Sequence, residues 1–317
     1  MTTNTLKEKL NISFVTLDSL TWINVEKPGE PEKAFLSQNY SFHPLDLDDC
    51  LSHVQRPKID EYANYLFLVY HFPVYNKTMR VTESSQLSVF IGKDFLITVH
   101  EGRLKPLIQL FKDCQEQETI RQQFLSQGSV FLLYRIIDKL VDYCFPIINK
   151  VGENVDALES RMFSTKKNGI VREISVLRRD IISLRRIIGP MRTTVTILEP
   201  KVRRFNQTDL AVYFGDTVDH LDKIWEALGE YKEVIEGLNN TYDSLASNRL
   251  NEILRVLTIL ATIGTVLMVI TGFYGMNVPL PGGSDSGSNP LTWVILLLFM
   301  GAVVFFMLLY FKRKDWL

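Results

Sequence analysis

The sequence has little of what would tie it to a secreted or a catalytic class. Three cysteines, Cys50, Cys114 and Cys144, occur among 317 residues. An odd, widely spaced set builds no disulfide framework and reads as free buried thiols in a reducing compartment. The five histidines are scattered, and Cys50 with His53 has no second pair of ligands to complete a zinc site. No glycine-rich phosphate loop, no paired metal histidines and no G-x-S-x-G elbow is present, so enzymatic activity is not expected. A net charge of −1 offers no basic surface to a nucleic acid. The segment "MTTNTLKEKLNISF" lacks the apolar core of a signal peptide. About 250 residues are therefore expected to stay on the cytoplasmic side.

Charge itself is missing from two stretches near the C-terminal end. "VLTILATIGTVLMVITGFYGM" (256–276) and "LTWVILLLFMGAVVFFMLLYF" (291–311) are each 21 residues without a charged side chain. At a helical rise of about 1.5 Å per residue, each spans roughly 31 Å, the thickness of a bilayer core. Arg249 and Arg255 precede the first run and Lys312, Arg313 and Lys314 follow the second, while residues 277–290 hold no Lys or Arg. Positive charge stays on the cytoplasmic side, so both termini are expected there, in a multi-pass protein of the inner cell membrane surrounded by lipid.

The remainder falls into three expected parts: a cytoplasmic α/β domain at 1–127, a cytoplasmic long-helix region at 128–250, and a membrane domain at 251–317 with spans at about 254–276 and 291–311. Short β-branched and aromatic runs such as "ISFVTL", "YLFLVYHFPV", "LSVFI" and "FLITVH" read as strands, with a hairpin around Gly92 and Lys93. Helices are expected at roughly 30–39, 44–52 and 104–119. From Ser129 onward, apolar residues recur every three or four positions, interrupted near 165–169 and 198–206, which predicts three long helices. The third runs from about Asp209 to Met276 without a proline. A helix about 100 Å long cannot be packed within one compact domain and needs partners, most economically copies of itself.

One stripe of the first span mixes small, hydroxylated and bulky residues: Asn251, Leu254, Thr258, Ala261, Thr265, Met268 and Gly272. Two readings are open. Small residues favour helix packing in membranes. A pore lining fits the amides at the two ends, Asn251 and Asn277, because amide oxygens can hold a hydrated cation without stripping its water.

"YGMN" (274–277) at the end of the first of two C-terminal spans, with "NEILRVLTILATI" before it and "YFKRKDWL" at the end, resembles the CorA family of divalent-cation transporters. "HPLDLDDCLSHVQRPKIDEY", "ESSQLSVFIGKDFLITVHE" and "LLYRIIDKLVDYCF" also resemble family segments, so the similarity covers nearly the whole chain.

The resemblance implies a homopentameric funnel whose first membrane helices line a central pore. Gly275, Met276 and Asn277 match the family's signature at the outer mouth. There Gly275 and Met276 would hold a turn and five copies of Asn277 would select hydrated Mg2+; the plainer role for Asn277 is a helix C-cap. Leu254 and Leu257 match a hydrophobic constriction. Asp49 and Asp216 match acids that pair across a subunit interface, and Asp48 and Asp138 match a second, weaker metal site. Facing carboxylates repel, and a hard divalent cation relieves that repulsion. Mg2+ is thus expected both as the transported ion and as a regulatory one, with Co2+ or Ni2+ as further cargo. A zinc transporter of the same superfamily and a non-conducting membrane-anchored metal sensor are the alternatives. Lys312, Arg313 and Lys314 would collar the inner mouth or simply anchor it. The chain departs from the family's pattern at Val266, where a proline is common, at Met268, where a hydroxyl is common, and in an outer loop whose one acid is Asp285.

Overall fold

The computed structural model describes residues 10–52, 55–76, 81–162, 169–206, 209–276 and 290–316. The chain divides into two compact units, Met1–Asn239 and Asn240–Leu317.

The first unit is built on a six-stranded sheet: β1 (Ile12–Leu17), β2 (Leu20–Glu26), β3 (Lys58–Glu61), β4 (Leu66–Asn76), β5 (Val81–Ile91) and β6 (Phe95–His100). Their spatial order is β1-β2-β6-β5-β4-β3, with β2 and β6 parallel and the other neighbours antiparallel. The expected hairpin joins β5 to β6 with Ile91 opposite Leu96. A side chain at Gly92 would put its Cβ 2.5 Å from the Phe95 ring, which is why that turn needs glycine. Leu66, Phe67, Leu68, Val69 and Tyr70 of β4 are all fully buried, so this strand reads as a continuous apolar run rather than an alternation. Both of its faces are covered.

One face is closed by α1 (Glu30–Asn39) and α2 (Pro44–Leu51), whose Leu36 and Leu47 join Ile23, Val25, Phe67, Val69, Phe90 and Ile97. Helices α3 (Lys105–Glu116), α4 (Glu118–Leu125), α5 (Ser129–Asp142), α6 (Cys144–Met162) and α7 (Ile170–Val202) contact the sheet as well, and Trp22 meets Phe111 edge-on. The three cysteines are free and buried, as expected.

Two helical expectations are corrected. The segment expected at 104–119 is two helices, broken at the extended residue Gln117. The first long helix is also two, because Pro146 has no N–H to continue the ladder of α5 and a new helix starts at Cys144. The break expected near 198–206 is found there: α7 runs through Pro200 and ends at Val202. Its buried stripe of Ile188, Met191, Val195, Leu198 and Val202 holds the last turns in place.

Helix α8 (Ala211–Tyr274) is 64 residues long, close to the expected 209–276. Its part in the first unit buries Phe214, Thr217, Leu221, Ile224, Leu228, Ile235 and Leu238 at three-, four- and seven-residue spacings. It also approaches α6 closely enough that a Cβ at Gly152 would lie 2.5 Å from the Tyr231 hydroxyl. In the second unit, the remainder of α8 is accompanied by α9 (Pro290–Arg313). Both helices are long and apolar enough to cross a membrane.

Candidate metal centres and pore face

Helix α2 starts at Pro44, with His43 Nδ1 accepting from Leu45 N, and carries three acids on different faces. Asp46 points inward, 1 % exposed, and accepts from the Tyr62 hydroxyl at 3.1 Å and the Tyr65 hydroxyl at 3.0 Å. Burial raises its carboxyl above the usual range, against those two donors. Asp48 and Asp49 lie on the outer flank and are already paired within the chain. Lys33 Nζ is 2.5 Å from Asp48, and Lys58 Nζ is 2.7 Å from Asp49 and 2.5 Å from Asp60. Partial burial pulls Lys58 down, but its hydrogen bonds to Asp49 and Asp60 outweigh this and hold the ammonium charged.

A second cluster lies between α5 and α8. Asp138 and Asp142 are one turn apart on α5, and Asp216 and His220 are one turn apart on α8. One ligand atom from each of Asp138, Asp142 and His220 falls within 4.8 Å of the others. His220 Nδ1 is 3.6 Å from Asp142 Oδ1, and its Nε2 is 3.9 Å from Asp216 Oδ2. Phe145 meets the imidazole edge-on at 5.6 Å and fixes the ring plane. Burial first, and then the Asp142 charge, hold the Asp138 carboxyl above its ordinary range, against Arg135 and His220.

The structure therefore brings Asp138 and Asp216 into one neighbourhood through His220. Among the described residues, no hydrogen bond or ion pair joins either of them to Asp48 or Asp49 within a single chain. Asp142 and His220 were not among the residues the sequence pointed to. The signal for them was present: each stands four residues after an acid that was singled out, in "DKLVD" and "DTVDH".

In the second unit the two spans meet along a seam. The least exposed residues of α8 are Ile259, Ile263, Val266, Leu267 and Ile270, and those of α9 are Leu296, Met300, Val303, Val304, Met307 and Phe311. Both sets follow three- and four-residue spacing, as side chains of paired helices do. Arg255 Nη1 donates to the Asp315 carbonyl at 3.1 Å, tying the start of one span to the end of the other.

Asn251, Leu254, Leu257, Thr258, Ala261, Thr265, Met268 and Gly272 are all exposed. At 3.6 residues per turn, their mean direction lies roughly 165° from the α8 seam. The stripe is therefore not the face that packs on α9. Thr258 and Thr265 donate their hydroxyls to the carbonyls of Leu254 and Ala261, at 2.7 and 2.8 Å. The donors are thus satisfied inside the helix, and the oxygen lone pairs stay available to accept. Helix α8 closes with Gly275 N bonded to the Thr271 carbonyl at 2.9 Å, and Met276 follows, 55 % exposed. Asn277, like His53, lies outside the described residues.

A family model described as CorA-like Mg2+ transporter protein matches residues 18–313. The chain is 30 % identical over 300 residues to a cobalt/magnesium transport protein CorA of Thermotoga maritima, covering 94 % of this chain and 83 % of that one. It is 31 % identical over 299 residues to a putative metal ion transporter, YfjQ, of Bacillus subtilis, covering 93 % and 89 %. Among solved structures, the complete CorA magnesium transporter of Methanocaldococcus jannaschii superposes with a TM-score of 0.81 at 22 % identity, over 96 % of this chain and 94 % of that one.

Proposed function

The chain belongs to the CorA-like Mg2+ transporter family, and from that premise we propose that it is a homopentameric influx channel for hydrated divalent cations. Mg2+ is the main cargo, and Co2+ or Ni2+ also pass. The channel sits in the inner cell membrane with both termini in the cytoplasm. The family is one of transporters and not of enzymes.

The observation that carries the reading is the direction of the α8 stripe. Its residues are all exposed and their mean direction points away from the α9 seam, with Thr258 at the edge lining a groove beside Phe306, Tyr310 and Trp316. In a bilayer, the small residues of such a face let other helices approach closely, and the hydroxyl lone pairs left over are suited to water. Five copies of α8 arranged about an axis give it both. The stretch from Ser244 through Leu254 supports the same arrangement, since all of its side chains are exposed in one chain. A helix exposed on all its faces gains stability from neighbouring helices.

Within that ring, Leu254 and Leu257 form an apolar constriction that blocks a hydrated ion by dewetting. Gly275, Met276 and Asn277 form the selective outer mouth. Mg2+ bound between subunits through Asp49 and Asp216 favours the closed arrangement. Its loss lets carboxylate repulsion shift the population toward open ones.

The test is flux into proteoliposomes with Mg2+, Co2+ and Zn2+ in turn. Mg2+ and Co2+ are expected to enter, and Zn2+ to enter more slowly. Faster Zn2+ entry would make the chain a zinc transporter, and no entry of any ion would leave only a membrane-anchored sensor. The same preparation is expected to have a protein mass near five times 36.6 kDa once detergent is subtracted. A stable monomer or dimer that still conducts would overturn the pentamer.

A further inference from the structure

The two spans of the second unit close on each other along their seam but leave a groove beside it, near the end that carries the basic run. Thr258 and Thr262 of α8 line it together with Phe306, Tyr310, Phe311 and Trp316, around a volume of about 450 Å3. That is within the roughly 300–1,000 Å3 that small ligands fill. We propose that this groove seats one acyl chain of an anionic phospholipid from the cytoplasmic leaflet, whose phosphate is held by the basic run Lys312, Arg313 and Lys314.

Three observations point to that occupant. First, the groove has a built wall. Helix α9 ends in a Schellman turn: Trp316 N donates to the Phe311 carbonyl at 3.0 Å and Asp315 N to the Lys312 carbonyl at 3.1 Å, with Asp315 left-handed at φ 56°. The turn lays the Trp316 ring against Phe311, with centroids 5.8 Å apart and planes 18° from parallel. Arg255 holds the turn from α8 through the Asp315 carbonyl at 3.1 Å. An aspartate in the left-handed region costs more than the glycine usual there, so these contacts, and not local preference, keep the wall in place.

Second, the lining offers little to a polar guest. The hydroxyls of Thr258 and Thr262 are already donated to the carbonyls of Leu254 and Thr258, at 2.7 and 2.6 Å. The remaining side-chain donors are the Tyr310 hydroxyl and the Trp316 indole, on rings that suit the boundary between acyl chains and headgroups.

Third, positive charge is in excess at this end. Lys312, Arg313 and Lys314 are exposed and form no ion pair among the described residues. The acids near them and Arg255 are Glu252, three residues before that arginine, and Asp315. Four cations against two acids attract an anion, and basic pockets between membrane helices on the cytoplasmic side take anionic headgroups. A neighbouring copy seated in the groove at the same depth would bring its own basic run beside this one, and like charges would oppose it. A phosphate relieves that repulsion.

Only the choice of leaflet rests on the proposed orientation, and binding is read apart from transport: a chain that holds the lipid but moves no ion leaves the site intact. The experiment is native mass spectrometry of the full-length protein in detergent with added phosphatidylglycerol or phosphatidylcholine, for the parent chain, Lys312→Gln with Lys314→Gln, and Trp316→Ala. The parent should retain phosphatidylglycerol at least about tenfold more tightly than phosphatidylcholine. Each lost cation should cost about fivefold, so the double lysine variant should lose about tenfold or more for phosphatidylglycerol and less than about twofold for phosphatidylcholine. Trp316→Ala should weaken both lipids alike, because it removes apolar wall and no charge. Equal binding of the two lipids by the parent, or phosphatidylglycerol binding that neither variant changes, would overturn the site. So would a parent that retains no lipid, the outcome expected if a neighbouring helix fills the groove. Should a variant fail to assemble, tryptophan quenching in vesicles by lipid brominated on its acyl chain decides, with Trp316→Phe as the reference that keeps the wall. The part of the quenching that Trp316→Phe removes should be larger for brominated phosphatidylglycerol than for brominated phosphatidylcholine, and no difference overturns the site.

Discussion

Asn277→Ala is expected to abolish Mg2+ uptake while leaving the assembled protein at its native mass. Magnesium holds its waters in a near-ideal octahedron and gives them up reluctantly, so a filter that recognises the hydrated ion avoids that desolvation. Recognition of water needs polar groups that accept and donate at fixed positions, and a side-chain amide supplies both. Helix α8 makes its last intrahelical bonds at Gly275 and Met276, so Asn277 comes directly after the final turn of the span whose stripe is proposed to line the pore. Alanine at that position keeps the chain and removes the amide. Were the side chain only a C-cap, the loss would be confined to stability, on the order of 1 kcal/mol or less, and transport would survive. The readouts are Mg2+ entry into proteoliposomes and the mass of the purified complex. Normal entry in the variant would remove the selectivity role from Asn277.

The parts of the fold that the sequence disclosed are those with few physical alternatives. A run of 21 residues without charge can be little else than a span, and α9 occupies the expected 291–311 with a margin of two residues or fewer at each end. Strands β1 and β6 stand where their β-branched runs place them. Strand β2 did not stand out because a polar residue interrupts its apolar run. Asn24 is buried there, and its amide oxygen accepts from Thr98 Oγ1 at 2.8 Å. Only the neighbouring strand makes that tolerable. Strand β3, "KIDE", has no strand signature of its own and exists because the edge of β4 pairs with it.

The candidate sites divide in the same way. The α8 stripe was legible because helical periodicity is local, although its direction relative to α9 was not. The partners of the acids were not legible at all. Lys58 is nine residues from Asp49, and His220 is 82 residues from Asp138; nothing in the spacing announces either contact. Pairing of this kind is set by how β3 lies beside α2 and how α8 crosses α5, and a sequence pattern does not carry that information.

The Lys58–Asp49 pair changes what a test of the proposed feedback should show. Asp216→Asn is expected to keep the channel conducting at internal Mg2+ concentrations that close the parent, because the bridge loses a formal charge on a side chain that is 61 % exposed. Asp49→Asn should have the same effect. The double variant should add little, since either loss breaks the bridge. Protection of the purified protein from protease by Mg2+ should weaken in parallel, as an ion that binds only the closed form stabilises it by mass action.

Lys58→Met should act in the opposite direction. In the parent, the ammonium 2.7 Å from Asp49 competes with any cation that arrives. Its side chain is 32 % exposed, so the pair is worth at most about 1 kcal/mol, and removing it should lower the inhibiting Mg2+ concentration by about fivefold or less. Opposed shifts from neighbouring residues separate a charge effect from simple damage to the domain, which would move all variants the same way. Current or uptake measured against internal Mg2+ in the four variants is the experiment. Unchanged inhibition in both single aspartate variants would make Asp49 and Asp216 ordinary surface acids, one neutralised by Lys58 and the other beside His220. The closing ion would then have to bind elsewhere on the first unit.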